Sequence, residues 1–473
     1  MLKRFGVRIG LIGLAGLAVR WLAVLTYYRK LSPPPPDLTD NTWYWLQAKL
    51  LARGDGFANP LIWYKQCVID VTSCATSHSA GKPPLYTSYL AIFHLLGLDS
   101  PLSMRLASGF LGTACVIGVG FLARRISGSE RAGLIAACLA ALYPNLWIND
   151  GLILSESLYA PLMVAVLWTA WRLIEEPGLR RAWPLGLAVG LACLTRSESQ
   201  LLVIFIVLPV AMWVIRPLSV RRRLAVTGVT LAVALAVVAP WVALNLATFR
   251  EPVFLSIGTG FVLDVSNCDT TYRGELIGYT DPVCSTDDWP KGADESEVDL
   301  FLRERPLRYI RDHADEVPKV VAIRVGRMWN IYRPVQGVDL DIFFERRGRW
   351  QSWAGLISYY AIGAAAVGGA VTLRRRQVSL VPAIGLIAMV TFTAASSMPI
   401  TRYRVAAEVV WVVLGGIGLN SLWSRLRPAC TSDPEAGASP SAEPDSDRLD
   451  RASDQTAIAT ADATMSATSA VQR

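Results

Sequence analysis

Two charged residues of an early polar segment have side chains suited to acid–base and anion chemistry. Asp40 lies in the stretch TDNTWYWLQAKLLARGDGF, and Lys82 lies in GKPPLY, further along the same segment. A fixed carboxylate can accept the proton of an attacking hydroxyl group, and a fixed ammonium group can stabilise the charge of a departing phosphate. The Pro-Pro pair forces an extended backbone, which fixes the direction of the Lys82 side chain.

Each of these two residues also has a purely structural interpretation. Thr39-Asp40 directly before a weakly amphipathic run is typical of a helix N-cap, which contributes about 1 kcal/mol. Lys82 can be a lysine that merely begins an extended segment. Considered alone, Asp40 is better explained as a capping residue than as a catalytic one. Whether it has a catalytic role therefore depends on the other charged residues of the chain.

Further charged residues stand at the ends of apolar runs, where they could complete a site. They are Asp150, Glu156, Arg196, Glu198, Arg402, Arg404 and Glu408. Ionisable groups at the edge of a membrane bundle are costly unless they are paired or functional. The arginines suit an anion such as a phosphate; the alternative is that these side chains only reach the headgroups and pair there.

The elements that must position these residues are membrane helices. Of the 473 residues, 52% are hydrophobic and 18% are charged, and apolar runs recur as far as Trp423. Since a helix needs roughly 20 apolar residues to cross a bilayer, we predict an all-α polytopic membrane protein with about ten transmembrane helices. The predicted spans are residues 5–25, 103–122, 132–148, 152–171, 183–195, 199–215, 225–246, 354–373, 378–396 and 405–423.

Clusters of Lys and Arg between the apolar runs predict the orientation, because cytoplasmic loops carry an excess of basic residues. With these clusters inside, a multi-pass protein of the cell (plasma) membrane has both termini in the cytoplasm and two large external loops, 26–102 and 247–353. The net charge of +8 follows from this pattern and does not indicate nucleic acid. Both loops are external only if Leu85–Leu98 does not cross the membrane. This segment is too short to span, so we expect it to lie in the membrane interface or to re-enter the membrane.

Each external loop contains two cysteines. Cys67 and Cys74 lie in the first loop, and Cys268 and Cys284 lie in the second. Disulfides persist in oxidising compartments, so two external bridges are expected. Four unpaired cysteines remain the alternative, because pairing does not follow from sequence alone.

The chain divides into a membrane domain and a tail. Residues 1–427 hold the spans and both external loops, and the second loop includes a predicted interfacial amphipathic helix at Val317–Tyr332. Residues 428–473 have almost no large apolar side chains. They cannot bury enough surface to fold, so a disordered cytoplasmic tail is expected.

The order of the motifs adds a family resemblance. A D-x-x-x-Y-x-x-x-A pattern with a G-x-G-F exit, which runs from Asp40 through Tyr44 to Phe57, is followed by KPPLY, LSES, LTRSES and RYR. This order resembles the GT-C superfamily of integral-membrane glycosyltransferases, and within it the protein O-mannosyltransferase and aminoarabinose transferase group. The resemblance covers about residues 5–423; it is specific in the first 200 and loose in the second external loop.

The resemblance implies a glycosyltransferase that moves a hexosyl or pentosyl group, with inversion, from a polyprenyl-phosphate-linked donor to a lipid, glycan or protein acceptor at the extracytoplasmic face. In this scheme the site residues are the catalytic acids Asp40 and Glu156, the phosphate ligands Lys82, Arg196, Arg402 and Arg404, and the substrate contacts Tyr44 and Tyr403. Asn41 stands where many relatives have a second carboxylate, which weakens the case for a metal held by the first loop alone. The resemblance requires no cofactor, and it leaves open whether the protein binds a divalent cation.

Two other functions remain open. A secondary transporter would be expected to have discontinuous helices, charges near the bilayer midplane and repeat symmetry between its halves. The sequence displays no such repeat. A lipid-linked glycan ligase or polymerase would share the membrane setting and the class of donor, but it would transfer an oligosaccharide, which the mass of the product distinguishes from a single sugar.

The predicted orientation can be tested by thiol labelling of intact cells. A cysteine introduced near Gly56, in the first external loop, should react with a membrane-impermeant thiol reagent, whereas native Cys430, in the cytoplasmic tail, should not. Labelling of Cys430 from outside would reverse the topology and place the candidate site on the cytoplasmic face.

Overall fold

The chain is helical throughout the part that the structure, a computed structural model, describes: residues 2–30, 39–69, 76–285 and 289–426. In these ranges the only β-type pairing is a single bridge between Ala58 and His78, so the predicted all-α class is confirmed for them. The α-helices, in chain order, are α1 (Leu2–Thr26), α2 (Asp40–Ala52), α3 (Pro60–Trp63), α4 (Pro84–Leu95), α5 (Pro101–Ser127), α6 (Glu130–Leu142), α7 (Pro144–Gly151), α8 (Glu156–Glu175), α9 (Leu179–Cys193), α10 (Val220–Thr248), α11 (Thr259–Ser266), α12 (Asp269–Tyr272), α13 (Glu295–Asp312), α14 (Val317–Met328), α15 (Pro334–Glu345), α16 (Arg349–Arg375), α17 (Val381–Ser396) and α18 (Val405–Leu426). Short 3₁₀ or π-helical turns occupy Tyr28–Lys30, Tyr64–Ile69, Ser197–Leu201, Val203–Val207, Val210–Val214, Pro282–Cys284 and Thr401–Arg404.

Seven helical stretches in the described ranges are long and apolar enough to cross a membrane, or eight if one bent pair counts as a single span. The seven are Arg4–Lys30, Pro101–Ser127, Glu156–Glu175, Ser197–Val214, Val220–Thr248, Arg349–Arg375 and Thr401–Leu426. Two long connections separate them, one between α1 and α5 and the other between α10 and α16. These connections correspond to the two predicted loops.

Three of the ten predicted spans are not single helices of the length that a membrane crossing needs. The span at 132–148 is broken, because α6 ends at Leu142 and α7 begins at Pro144 with a bend of 45°; proline lacks the amide hydrogen that would continue a helix. The spans at 183–195 and 378–396 correspond to α9 and α17, which have 15 and 16 residues, fewer than the roughly 20 needed. By length and apolar composition, seven or eight of the described helical stretches therefore qualify as spans, and the predicted number of ten is not confirmed.

Helix α5 illustrates how the sequence sets the limits of a span. The side chain of Ser100 caps its first turn by accepting the amide hydrogen of Ser103, and Pro101 occupies the first helical position, where its missing amide hydrogen costs nothing. The helix ends at Ser127, and the next residue, Gly128, has a left-handed φ of 69°, which favours glycine. Capping residues at both ends thus define the 27 residues between them.

Helix α18 lies at the centre of the bundle. It is buried almost continuously from Val405 to Gly418 and packs against α5, α6, α8, α16 and α17. Small residues allow this close approach: a Cβ on Gly416 would meet Ala136 of α6 at 2.5 Å. In membrane bundles such small residues let helix backbones come together. The turn that precedes α18 is consequently held firmly at one end of the bundle.

A buried ion pair joins α1 to α7. Arg20 Nε donates to Asp150 Oδ2 at 2.8 Å, and each side chain is 1% exposed. Arg20 also donates to the carbonyl oxygen of Gly16. Because α7 leads directly into the segment that carries Glu156, this pair helps to fix where α8 begins.

The long connections fold against the end of the bundle. α4 covers most of the predicted interfacial segment, and its 12 residues are too few to span. Cys268 and Cys284 form a disulfide with an S–S distance of 2.01 Å. The side chain of Cys67, all of Cys74 and the tail 428–473 lie outside the described residues.

The predicted interfacial helix at Val317–Tyr332 corresponds to α14 (Val317–Met328) and turns its arginines inward. Arg327 Nε donates to the carbonyl oxygen of Ile277 at 2.7 Å, and Arg324 donates to the Asn267 side chain at 3.0 Å. Both arginines are buried. They tie α14 to the loop between α11 and α13, rather than lining a solvent-exposed face.

The buried pair between α1 and α7 predicts an asymmetry between two helix glycines. A Cβ on Gly112 of α5 would collide with Asp150 and Arg20, whereas a Cβ on Gly10 of α1 would meet nothing within 4 Å. Gly112→Ala should therefore destabilise the protein by about 1–3 kcal/mol through overpacking. Gly10→Ala should be neutral or slightly stabilising, because alanine favours a helix by about 1 kcal/mol over glycine. Thermal unfolding of both variants in detergent measures the difference, and equal stabilities would contradict this account of the pair.

Candidate active site

Asp40, Lys82 and Arg402 meet at the end of the bundle although they are far apart in the chain. Lys82 Nζ lies 2.7 Å from Asp40 Oδ1, and Arg402 Nη2 lies 2.5 Å from Asp40 Oδ2. Each carboxylate oxygen of Asp40 therefore has its own cation. About a quarter of the Asp40 side chain, 27%, remains exposed, so a substrate can still reach it.

Local structure explains how Asp40 and Lys82 are presented. The N-cap position of α2 belongs to Thr39, and Asp40 is the first residue of the helix, with its carboxylate turned to the two cations. Lys82 follows Gly81, where a Cβ would lie 2.7 Å from the ring of Trp43. Pro83 is extended and Pro84 begins α4, so the backbone on both sides of Lys82 is constrained.

The neighbouring cations set the protonation of Asp40. Burial alone would raise the pKa of Asp40, but Lys82 and then Arg402 outweigh it and hold that pKa well below its ordinary value of 3.8. Burial would lower the pKa of Lys82, but the Asp40 carboxylate raises it above its ordinary value. Asp40 is accordingly a carboxylate and Lys82 an ammonium group at neutral pH.

A second set of charges lies beside this centre. Arg196 pairs with both Glu156 and Glu198, and its guanidinium also lies 4.6 Å from the ring centroid of Tyr403. Arg402 lies over the same ring, at 5.2 Å. Tyr403 thus contacts two cations, and cation–π attraction helps to hold both.

The second long connection contributes two residues that sequence reasoning missed, Glu345 and Arg347. Arg402 Nε lies 3.0 Å from Glu345 Oε1, and Glu345 Oε2 in turn pairs with Arg347 at 3.1 Å. Glu345 is the last residue of α15, which ends because Arg346 takes a left-handed φ of 54°. The signal that could have identified them is the charged run ERRGR directly before the apolar run of α16, at the external end of a predicted span.

Arg404 lies apart from the other predicted phosphate ligands. Its Nε donates to Glu408 Oε1 at 2.6 Å, its Nη1 donates to the carbonyl oxygen of Met328 at 2.6 Å, and its guanidinium lies 4.0 Å from the ring of Tyr359. Glu408 also accepts from Tyr143. Arg404 is 1% exposed, and this network is inside the bundle rather than at its mouth.

Two cavities share the wall formed by Asp40, Lys82 and Tyr403. The larger, about 500 Å³, is also lined by Tyr44, Glu156, Arg196, Glu198 and several hydroxyl side chains. The smaller, about 260 Å³, is lined mostly by apolar and aromatic side chains together with Glu345 and Arg402. Tyr44 is buried beside the larger cavity, and burial raises its pKa to about 12, so its hydroxyl stays protonated.

The carboxylates of this site do not surround a space that fits a divalent cation. In the part of the chain that the structure describes, no group of three acidic, histidine or cysteine side chains is arranged to hold a metal. Asp40, Glu156 and Glu345 instead converge on the guanidinium of Arg402. A metal ion would have to displace that side chain.

Comparisons with known proteins agree with the family suggested by the motifs. Residues 81–243, about a third of the chain, match the model of the dolichyl-phosphate-mannose-protein mannosyltransferase family. No curated protein matches the sequence. The matched residues include Lys82, Glu156 and Arg196, whereas Asp40, Glu345 and Arg402 lie outside them.

Solved structures with a partly similar course of the chain include an oligosaccharyltransferase and ArnT. The archaeal oligosaccharyltransferase AglB from Archaeoglobus fulgidus, in complex with an inhibitory peptide and a dolichol-phosphate, is 17% identical with a TM-score of 0.47; the match covers 87% of this chain and only 50% of that one. ArnT from Cupriavidus metallidurans, bound to undecaprenyl phosphate, is 15% identical with a TM-score of 0.42, over 88% of this chain and 78% of that one. The chain thus spans about half the length of the oligosaccharyltransferase, and TM-scores below 0.5 carry no argument about function.

The family-model match therefore confirms, over residues 81–243, the resemblance to the mannosyltransferase group that the motifs predict.

Proposed function

We propose that this protein is a membrane glycosyltransferase that moves a sugar from a polyprenyl-phosphate donor to an acceptor hydroxyl group, with inversion at the anomeric carbon. The observation that carries the proposal is the position of Asp40. Its carboxylate lies between two cations, Lys82 and Arg402, on the wall shared by two cavities. A proton acceptor is thereby placed where two substrates would meet.

The larger cavity suits the donor. It combines the cations Lys82 and Arg196 with hydroxyl side chains that can bind sugar hydroxyl groups, and it reaches the apolar side chains of Leu201 and Phe392 at the ends of bundle helices. The cations would bind the phosphate, and the apolar side chains would contact the start of the polyprenyl chain. A polyprenyl-phosphate sugar needs three environments side by side: cations for its phosphate, hydroxyl side chains for its sugar and apolar side chains for its lipid.

The smaller cavity suits the acceptor. Its wall includes Phe261, Tyr279 and Phe344, and Asp40 is one of the five charged residues in its lining. Aromatic and apolar side chains bind the body of a substrate, while a small number of polar groups orient its reactive end. An acceptor hydroxyl at the shared wall would point at Asp40.

The transfer step would use these groups as follows. The acceptor oxygen forms a bond to the anomeric carbon and passes its proton to the Asp40 carboxylate, while the bond from that carbon to the phosphate oxygen breaks and leaves its electron pair on the phosphate. Lys82 and the arginines stabilise the departing polyprenyl phosphate. Attack from the face opposite the leaving group inverts the anomeric centre.

The suppressed basicity of Asp40 gives the donor a second role. While Lys82 and Arg402 pair with Asp40, they hold its pKa low and make it a weak base. A donor phosphate that draws these cations toward itself would raise the pKa of Asp40. The base would thus become stronger when the donor is in place.

The predicted orientation places this reaction on the extracytoplasmic side. Asp40 belongs to the first long connection and Glu345 to the second, and both contact Arg402, so both connections lie at the same end of the bundle. Seven crossings before the second connection, as in the predicted ten-span arrangement, bring both connections to one side of the membrane and leave both termini on the other. The acceptor then belongs to the lipids, glycans or proteins of the outer face.

Asp40→Asn tests the role of the carboxylate. The change removes the proton acceptor but preserves the side-chain volume, so transfer should fall by roughly 10²–10⁴-fold with little loss of donor binding. Asp55→Asn is the matched control, because Asp55 lies in the same loop, pairs with Arg53 at 3.6 Å and lines neither cavity; it should keep normal transfer.

The assay is release of polyprenyl phosphate from a panel of polyprenyl-phosphate sugars by the purified protein. Turnover by the Asp40→Asn protein close to that of wild type would refute the proposed mechanism. If wild-type protein releases no polyprenyl phosphate from any donor of the panel with any acceptor class, the proposed function itself fails.

Substitutions of the two arginines of the RYR motif should have different effects, one on donor binding and the other on stability. Arg402→Gln should raise the donor KM by roughly 10- to 100-fold, because a hydrogen bond to a charged group contributes about 1.5–3 kcal/mol. Arg404→Gln should instead lower stability by about 3–5 kcal/mol, because it leaves Glu408 buried without its cation. Donor kinetics and thermal unfolding of both variants measure the contrast.

The opposite pattern would count against the assignment. A normal donor KM in the Arg402→Gln protein would return Arg402 to a structural role. A stable Arg404→Gln protein with a raised donor KM would move the phosphate contact to Arg404.

A further inference from the structure

Lys82 lies at the end of a short stretch of the first long connection, residues 77–82, which we call the donor arm. The amide of Ser79 donates to the carbonyl oxygen of Phe57 at 2.8 Å, so the arm pairs with an earlier part of the same connection. The position of the Lys82 ammonium group therefore depends on what holds this arm in place.

The hydroxyl group of Ser79 makes two hydrogen bonds. It donates to Oε2 of Glu295 at 2.7 Å and accepts the amide hydrogen of Gly81 at 3.1 Å. Gly81 directly precedes Lys82, and a Cβ on Gly81 would lie 2.7 Å from the ring of Trp43, so its backbone has little room to shift. Ser79 is completely buried. Its hydroxyl group thus connects the Glu295 carboxylate to the backbone that carries Lys82.

Glu295 is a fixed point for the donor arm. It is the first residue of α13, whose first turn is held by a capping box between Asp294 and Glu297. Asn59 donates to its other carboxylate oxygen, Oε1. Among the described residues no lysine or arginine pairs with Glu295, so the two neutral donors Asn59 and Ser79 compensate its charge. Both hydrogen bonds are therefore of the stronger kind that a charged acceptor makes.

The same face of α13 also holds the second long connection. Oδ1 of Asp299 accepts the amide hydrogens of Gly258 at 2.9 Å and of Gly260 at 2.7 Å. Glu295 and Asp299 are four residues apart and so lie on one face of the helix. Gly258 lines the larger cavity together with Lys82, whereas neither carboxylate lines either of the two cavities of the site. One helix outside the cavities thus holds two parts of the wall of the larger cavity.

We infer that Ser79 and Glu295 are positioning residues for Lys82. Through the amide of Gly81 they fix the backbone from which the Lys82 ammonium group reaches the donor phosphate, and they do so from outside both cavities. The inference rests on the proposed function for the identity of the donor, whereas the hold on the Gly81 amide is a property of the protein without substrates.

Ser79→Ala in the purified full-length protein tests the inference by kinetics. The donor KM should rise by about two- to tenfold, the effect expected of one hydrogen bond. The change in kcat should be smaller, because Lys82 meets the phosphate in the bound donor as well as in the transition state. Ser127→Ala is the matched control and should keep the donor KM of wild type. Ser127 is also buried, and its hydroxyl group also donates once and accepts the amide hydrogen of a residue two positions later, but at the end of α5.

Hydrogen–deuterium exchange measures the hold on Gly81 without substrates. Ser79→Ala removes the acceptor of the Gly81 amide, so exchange in a peptide that covers residues 79–85 should become faster than in wild type. Pro83 and Pro84 have no amide hydrogen, so few other amides contribute to the signal of this peptide. Ser127→Ala should leave its exchange unchanged.

A double-mutant cycle tests whether the two residues act as a unit. Glu295→Ala should raise the donor KM as Ser79→Ala does, and the double variant should be no worse than the more affected single variant, since both changes break one connection. Multiplied effects in the double variant would show that the two residues act separately and would overturn the inference. If Ser79→Ala is not monodisperse, Ser79→Cys nearly keeps the side-chain volume, has a weaker donor and acceptor, and serves in its place.

The two measurements also separate this inference from the proposed function. A folded Ser79→Ala protein with the donor KM of wild type, or an equal rise in donor KM in the Ser127→Ala protein, would refute the positioning role and leave the transferase standing. Faster exchange at residues 79–85 in the Ser79→Ala protein, without transfer by wild type from any donor, would refute the transferase and leave the hold on the donor arm standing.

Discussion

Charge compensation in a partly buried pocket is the constraint on which this structure depends. Four carboxylates and four cations meet at one end of the bundle, and charges removed from water are tolerated only when they are paired. The members are Asp40, Glu156, Glu198 and Glu345 with Lys82, Arg196, Arg347 and Arg402. Each is supplied by the end of a helix or by the short segment next to one, so the bundle serves to bring these ends together.

Much of the site could be predicted because its charged residues lie at the predicted external ends of helices. The excess of basic residues in cytoplasmic loops does not explain charges at those ends. Asp40 and Lys82 were found from their residue types and from the constrained backbone around Lys82, and Glu156 and Arg196 from their places at the ends of apolar runs. The pairing among them could not be predicted, because it depends on contacts across hundreds of residues. Glu345 was missed for this reason: its partner Arg402 is in another segment, and the charged run ERRGR does not by itself show which of its residues pairs with Arg402.

Side-chain direction and helix continuity also could not be predicted from the sequence. Arg402 and Arg404 are two positions apart in one motif, yet one faces the cavities and the other faces the bundle interior. The 3₁₀ turn that separates their directions is not visible in the residue pattern. Likewise, hydropathy identifies apolar runs but not the bend of 45° between α6 and α7.

The distribution of the site along the chain has a consequence for biosynthesis. The turn that contains Arg402 comes after nearly all of the membrane domain, so Asp40, Glu156 and Glu345 leave the ribosome long before the guanidinium that they share. Until then these carboxylates must stay hydrated or rely on the other cations, since an unpaired charge is costly within lipid. Insertion of α18 is therefore the step that completes the charge pairing of the site. A nascent chain arrested before that step would expose an anionic, open cavity to the quality-control machinery of the membrane.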